Sequence, residues 1–161
     1  MNYHSAMATY NQWMNQKLYA VCAEIPDLDR KSDRGAFFKS VHGTLNHILV
    51  ADRIWLGRFT HQPFTAQLDT ELYGDFSELR VQRKRLDRTI IDWAQDLTPD
   101  WLNADFTYTN SSGFTRTRPH WLLVTHMFNH QTHHRGQLTT LLHQMGYQSG
   151  VTDLPAMMDE N

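Results

Sequence analysis

Cysteine is nearly missing from this chain of 161 residues, where Cys22 stands alone. A single thiol excludes an intrachain disulfide and any zinc site built from several cysteines, and it suits a reducing compartment. Long hydrophobic runs are also missing, because no stretch approaches the roughly 18 consecutive apolar residues of a membrane span. The first twenty residues have no basic start leading into an apolar block, and Lys17 is the sole Lys or Arg before Cys22. A cytoplasmic location with no membrane partner is therefore the expectation. Neither sign of charge dominates: 15 Lys and Arg face 17 Asp and Glu for a net charge of −2. Without a global positive field, no nucleic-acid partner is expected.

Apolar residues make up 40% of the chain, with five Trp, six Tyr and eight Phe. That is enough bulk for one domain over residues 1–161. Histidine is over-represented at ten, and His126, His130, His133 and His134 fall within nine residues.

Periodicity organises the rest. Met7, Tyr10, Met14, Leu18 and Val21 recur at helical spacing from Tyr3 to Ala23, and Pro26 stops the helix. The charged stretch from Pro26 to Gly35 reads as a solvated loop. A second helix is predicted from about Ser40 to Phe59, with Leu45, Ile48, Leu49, Asp52, Leu56 and Phe59 on its main stripe. His47 lies on another face with Thr44, Ala51 and Ile54. The third helix runs from about Phe76 to Leu97. Two β-rich runs, Phe106–Thr109 and Phe114–Thr117, flank the turn Asn110-Ser111-Ser112-Gly113 and predict a hairpin. Pro119 suits the first turn of a fourth helix that Gly146 would end, with Leu154 and Met157 docking beyond it. The expected fold class is all-α, an antiparallel-type four-helix bundle with a small β-hairpin inserted before the last helix.

His126, His130 and His134 are four residues apart, so successive rings advance about 40° around the helix and about 6 Å along it. Two histidines so spaced can converge on one ion, while a third donor must come from another helix. On residue chemistry alone, His47 and the carboxylate Asp52 both qualify. His42 lies near a helix start and His61 in a loop. A surface histidine patch is the competing reading of the cluster, and a hydrogen-bonded histidine that of His47. His126, His133 and His143 are read as supporting or structural. Gly136, inside a helix, suggests close packing or a nearby ligand. Arg135 reads as a carboxylate partner, an anion receptor or a surface charge. Cys22 has no accompanying nucleophile motif, and the basic run Arg80, Arg83, Lys84, Arg85 and Arg88 is broken by Glu78, Asp87 and Asp92.

The segment Asn129-His130-Gln131-Thr132-His133-His134-Arg135-Gly136-Gln137 resembles the N-H-x-x-[HY]-H-R-G-Q signature of the DinB/YfiT-like superfamily, metal-binding four-helix bundles named for damage-inducible members. Leu45-Asn46-His47-Ile48 with Trp55-Leu56, Tyr10-Asn11-Gln12-Trp13 and Asp153-Leu154-Pro155 extend the resemblance over the chain. It implies that His47, His130 and His134 are the metal ligands and that His133 is not. Such a set would take a divalent ion, zinc, nickel or iron, with coordination positions left open. The resemblance further implies a metal-dependent enzyme, a thiol S-transferase or hydrolase acting on a small-molecule substrate with a low-molecular-weight thiol. Arg135, or the hairpin around Tyr108 and Phe114, would contribute to its pocket. The alternative is a non-catalytic, metal-stabilised dimeric scaffold in a stress response. A homodimer is expected on the same basis.

Overall fold

A computed structural model describes residues 2–110 and 112–159. Its elements are α1 (Tyr3–Ala23), α2 (Asp27–Lys31), α3 (Val41–Phe59), α4 (Phe76–Gln95), α5 (Pro99–Asn103), β1 (Asp105–Thr109), β2 (Thr115–Pro119), α6 (His120–Gln144) and a closing 3-10 turn, Leu154–Met158. The four long helices are those the periodicity predicts, and their starts are chemically marked. Asn2, Ser40 and Asp75 each accept a hydrogen bond from the backbone N–H three residues on, at 2.8–2.9 Å. Gly146, at φ +86°, ends α6 in the left-handed conformation that glycine adopts without strain.

Helices α1 and α3 sit on opposite corners, and each packs against both α4 and α6. Ser5 lies near Ala94, Asn11 near Asp87 and Tyr19 near Phe76, so α1 and α4 are antiparallel. Helices α3 and α6 are antiparallel too, with His47 beside His134 and Phe59 beside His120. By contrast, α3 and α4 run parallel, since Asp52 meets Arg83 and Phe59 meets Trp93. The segment between them must therefore travel back along the bundle, and in doing so it passes the histidines.

The antiparallel hairpin pairs Asp105 with Pro119 through Thr109 with Thr115. In its turn the Asn110 side chain accepts from the Ser112 and Phe114 amides, at 3.0 and 2.9 Å. Ser111 of the expected turn lies outside the described residues. Three details depart from the sequence reading. The Pro26–Gly35 connection contains α2, whose Arg30 is buried, donates to the Cys22 carbonyl at 2.8 Å and covers the Phe76 ring. The short α5, capped by Thr98, has too few residues to show a period. In the tail Met157 docks in the core, whereas Leu154 stays exposed.

The core is two apolar clusters. One surrounds Met14, Leu18, Leu45 and Leu142, the other Trp55, Phe59, Met127 and Phe128. Buried polar residues contributed by all four long helices occupy the middle of the bundle. Arg83 pairs with Asp52 at 2.6 Å and with Asp87 at 2.8 Å. Gln131 donates to Asp52 at 2.8 Å, and Asn11 and Asn15 donate to Asp87 at 3.2 and 2.9 Å. Burying either carboxylate without partners would cost several kcal/mol, roughly the effective desolvation penalty of one ion, so these contacts make the layer tolerable.

Candidate metal centre

On α6, His130 and His134 lie on one face, while Gln131 and Arg135, about 100° further round, turn into the buried layer. His47 of α3 faces the first pair across the antiparallel helix contact. The Nε2 atoms are 3.3 Å apart for His47 and His130, 3.1 Å for His47 and His134, and 3.0 Å for His130 and His134. Metal–nitrogen bonds of about 2.1 Å would space three nitrogens about 3.4 Å apart in a tetrahedral set and about 3.0 Å in an octahedral one. The observed triangle fits that range, and these residues form a potential metal-holding group.

The outer nitrogens fix the rings. His47 Nδ1 donates to the Leu68 carbonyl at 2.7 Å, and His134 Nδ1 donates to Gln137 Oε1 at 2.8 Å. Each bond places the ring proton on Nδ1 and leaves an Nε2 lone pair aimed at the centre. Phe38 stacks on His47 with centroids 3.7 Å apart and planes at 14°, and presents an edge to His134. Burial drives all three imidazoles toward the neutral, ligating form. It lowers His47 to about 4, His130 to about 3 with help from the neighbouring histidines, and His134 in the same direction.

His130 also borders a cleft of about 310 Å³, walled by Ala51, Ile54 and Trp55 of α3, Leu68 of the return segment, Tyr108 of the hairpin and His126. The face of α3 that carries Ala51 and Ile54 is thus the one that the hairpin and return segment border.

The structure brings together the three histidines singled out by the resemblance and separates the other candidates from them. Asp52 is not available as the third donor, because Arg83 and Gln131 take up its carboxylate in the bundle interior. His42 binds the Tyr73 carbonyl, while His61 and His143 are exposed. His133 is exposed and contacts Gln137. His126 stands on the cleft wall, its ring 5.9 Å from that of His130 and 5.2 Å from that of Trp55. Arg135 is neither a surface charge nor in the cleft. It is buried, bonded to Asn11 and Thr132, and burial lowers it to about 10. Gly136 has open space where a side chain would stand, so close packing does not explain it. Cys22 is fully buried and its thiol is pushed up to about 12, which makes it inert. Arg83 leaves the basic run for the interior. Tyr108 reaches the cleft, whereas Phe114 is exposed beside Arg116.

Sequence reasoning missed Phe38, the Leu68 carbonyl and Gln137. Gln137 had a signal, standing three residues after His134 on the same helix. Phe38 and Leu68 lie in irregular segments with no period to read.

An α-helical bundle with three inward histidines beside an open cleft defines a class of helical proteins with a potential metal site, and comparison with known proteins specifies the family. The DinB family model matches residues 1–161, and the chain belongs to the DinB family. It is 30% identical over 153 residues to Protein DinB of Bacillus subtilis (strain 168), covering 89% of this chain and 87% of that one. Its fold is similar to the crystal structure of a DinB-like protein from Bacillus cereus ATCC 10987, with a TM-score of 0.67, 21% identity, and coverage of 89% of this chain and 91% of that one.

Proposed function

We propose that this protein is a metal-dependent enzyme, in which His47, His130 and His134 hold a divalent ion and a small electrophilic substrate occupies the adjoining cleft. The observation that carries this reading is the convergence of three Nε2 atoms at 3.0–3.3 Å, one of them on His130, which borders that cleft. Three neutral nitrogen ligands suit zinc, nickel or iron. Such an ion supplies a Lewis acid that lowers the pKa of a thiol or water, giving thiol transfer or hydrolysis near neutral pH. A structural metal site is closed by its protein ligands, whereas a site bordering a cleft leaves room for a reacting molecule, which favours turnover over a scaffold role.

Within this mechanism Leu68 and Gln137 hold the imidazoles in their ligating tautomer, Phe38 shields His47 from water, and Trp55 and Tyr108 offer apolar walls to the substrate. Elemental analysis of the protein as isolated should find about one ion per chain, and His130→Ala should lose it. Loaded protein should consume a low-molecular-weight thiol in the presence of one of a panel of electrophiles. Metal-loaded protein that neither transfers thiol nor hydrolyses any member would count against catalysis.

A further inference from the structure

The cleft holds a half-buried cation with no acidic partner among the described residues. Arg58, on the last turn of α3, donates from Nη2 to the Thr109 carbonyl at 2.9 Å, and its guanidinium lies 4.6 Å from the centre of the Trp55 ring and 5.2 Å from that of Tyr108. Four of the bundle's described arginines meet carboxylates, Arg30 with Asp27, Arg34 with Asp29, Arg83 with Asp52 and Asp87, and Arg88 with Asp92, while buried Arg135 spends its donors on Asn11 and Thr132 away from the cleft. Among the described residues Arg58 has no such bridge and no Asp or Glu lines its cleft. Burial pulls its pKa down, the signature of a charge that has lost water without gaining a counterion.

We propose that Arg58 is a specificity-determining anchor for a carboxylate, so that the ligand of this cleft is a small organic acid with an apolar or aromatic stem. Two rings and a backbone carbonyl hold the guanidinium in place, which removes much of the side-chain entropy otherwise lost on binding. Its remaining N–H groups form a planar fork that matches the two oxygens of a carboxylate. A phosphate dianion would meet one cation here and is the poorer match. The stem would lie along Trp55, Ile54 and Tyr108, which directs the far end of the molecule toward His130. This last step rests on the metal-enzyme reading; the anchor itself depends only on residues of the cleft.

The test compares phenylacetate with phenylacetamide, which differ in charge but hardly in shape. Each is titrated into the protein as isolated and again after chelation, so that carboxylate binding to an ion is separated from binding to Arg58. The 15N-observed Nε–H resonance of Arg58 reports the contact directly. A charge-assisted hydrogen bond predicts a preference of about tenfold for the acid in both preparations. Arg58→Gln should bring the two affinities together without changing the metal content, and Arg58→Lys should keep part of the preference. Equal affinities in the native protein, an unmoved Arg58 resonance, or a preference that survives Arg58→Gln would overturn the proposal. Because the chelated arm contains no ion, failure of the metal reading and failure of the anchor are read separately.

Discussion

The carbonyl oxygen of Phe38 occupies the space that a side chain on Gly43 would need, and this approach holds the Phe38 ring over His47. Lys39, at φ +66°, makes the tight left-handed turn that brings the chain there, so a strained residue and a bare helix position together roof the histidine cluster. Gly43→Ala should therefore destabilise the fold by about 1–3 kcal/mol, because a backbone atom has to move, even though alanine is the better helix former. Gly136→Ala, where a Cβ meets nothing within 4 Å, should instead stabilise it by about 0.5–1 kcal/mol. Urea denaturation of both variants would show the opposite signs.

Gln137 should matter to the ion without touching it. Gln137→Leu takes away the acceptor of the His134 Nδ1 proton. Competition with a chromophoric chelator should show metal affinity about 10–100-fold weaker, with the fold intact by circular dichroism.

Asp52 should matter to the fold without being a ligand. Asp52→Ala leaves Arg83 with Asp87 alone and Gln131 without its acceptor, in a layer closed to water. A loss of about 3–5 kcal/mol is expected in denaturation. Whatever fraction folds should still bind the ion with the native stoichiometry.

Acid should weaken the metal-free protein in a defined window. His47 and His130 are lowered by burial from 6.5 to about 4 and about 3, so below pH 6.5 the unfolded chain takes up protons that the folded one refuses. The contribution of these two groups is then constant above about pH 7 and falls as pH drops from 6.5 toward 4 for His47 and toward 3 for His130, by on the order of 1 kcal/mol per histidine by pH 5 once the partial wetting of the cleft is allowed for. Denaturation midpoints at pH 7.5, 6 and 5 check the slope, and replacing both histidines by Asn should make it shallower, leaving the part that other buried histidines such as His134 contribute.

Adding the ion should raise the melting temperature, since a ligand at a hundredfold excess over its Kd stabilises the folded state by about 2.7 kcal/mol. Thermal scans with and without metal should lose that shift in His134→Ala and keep it in His133→Ala, whose ring is exposed and outside the triangle.

The four long helices were legible because each buries a stripe at 3.6-residue spacing, and the hairpin because Gly113 stands among Asn and Ser between two β-rich runs. His130 and His134 were legible for the same reason, as a four-residue spacing places two rings together on any helix. By itself, then, the sequence determined the long helices and the hairpin, the histidine pair and, through the resemblance, the identity of its third member, but not the short α2 and α5.

Tertiary structure alone decided between His47 and Asp52 on physical grounds. Both stand on α3, but the packing of α4 gives Asp52 an arginine, while the antiparallel contact with α6 gives His47 two facing nitrogens. It also supplied Phe38, Leu68 and Arg58. The first two sit on aperiodic segments, and the surroundings of Arg58 depend on where the hairpin lands. Periodicity encodes which face of a helix is buried, but not which neighbour covers it. That choice is made only when the parallel pairing of α3 and α4 sends the connecting chain back past the site.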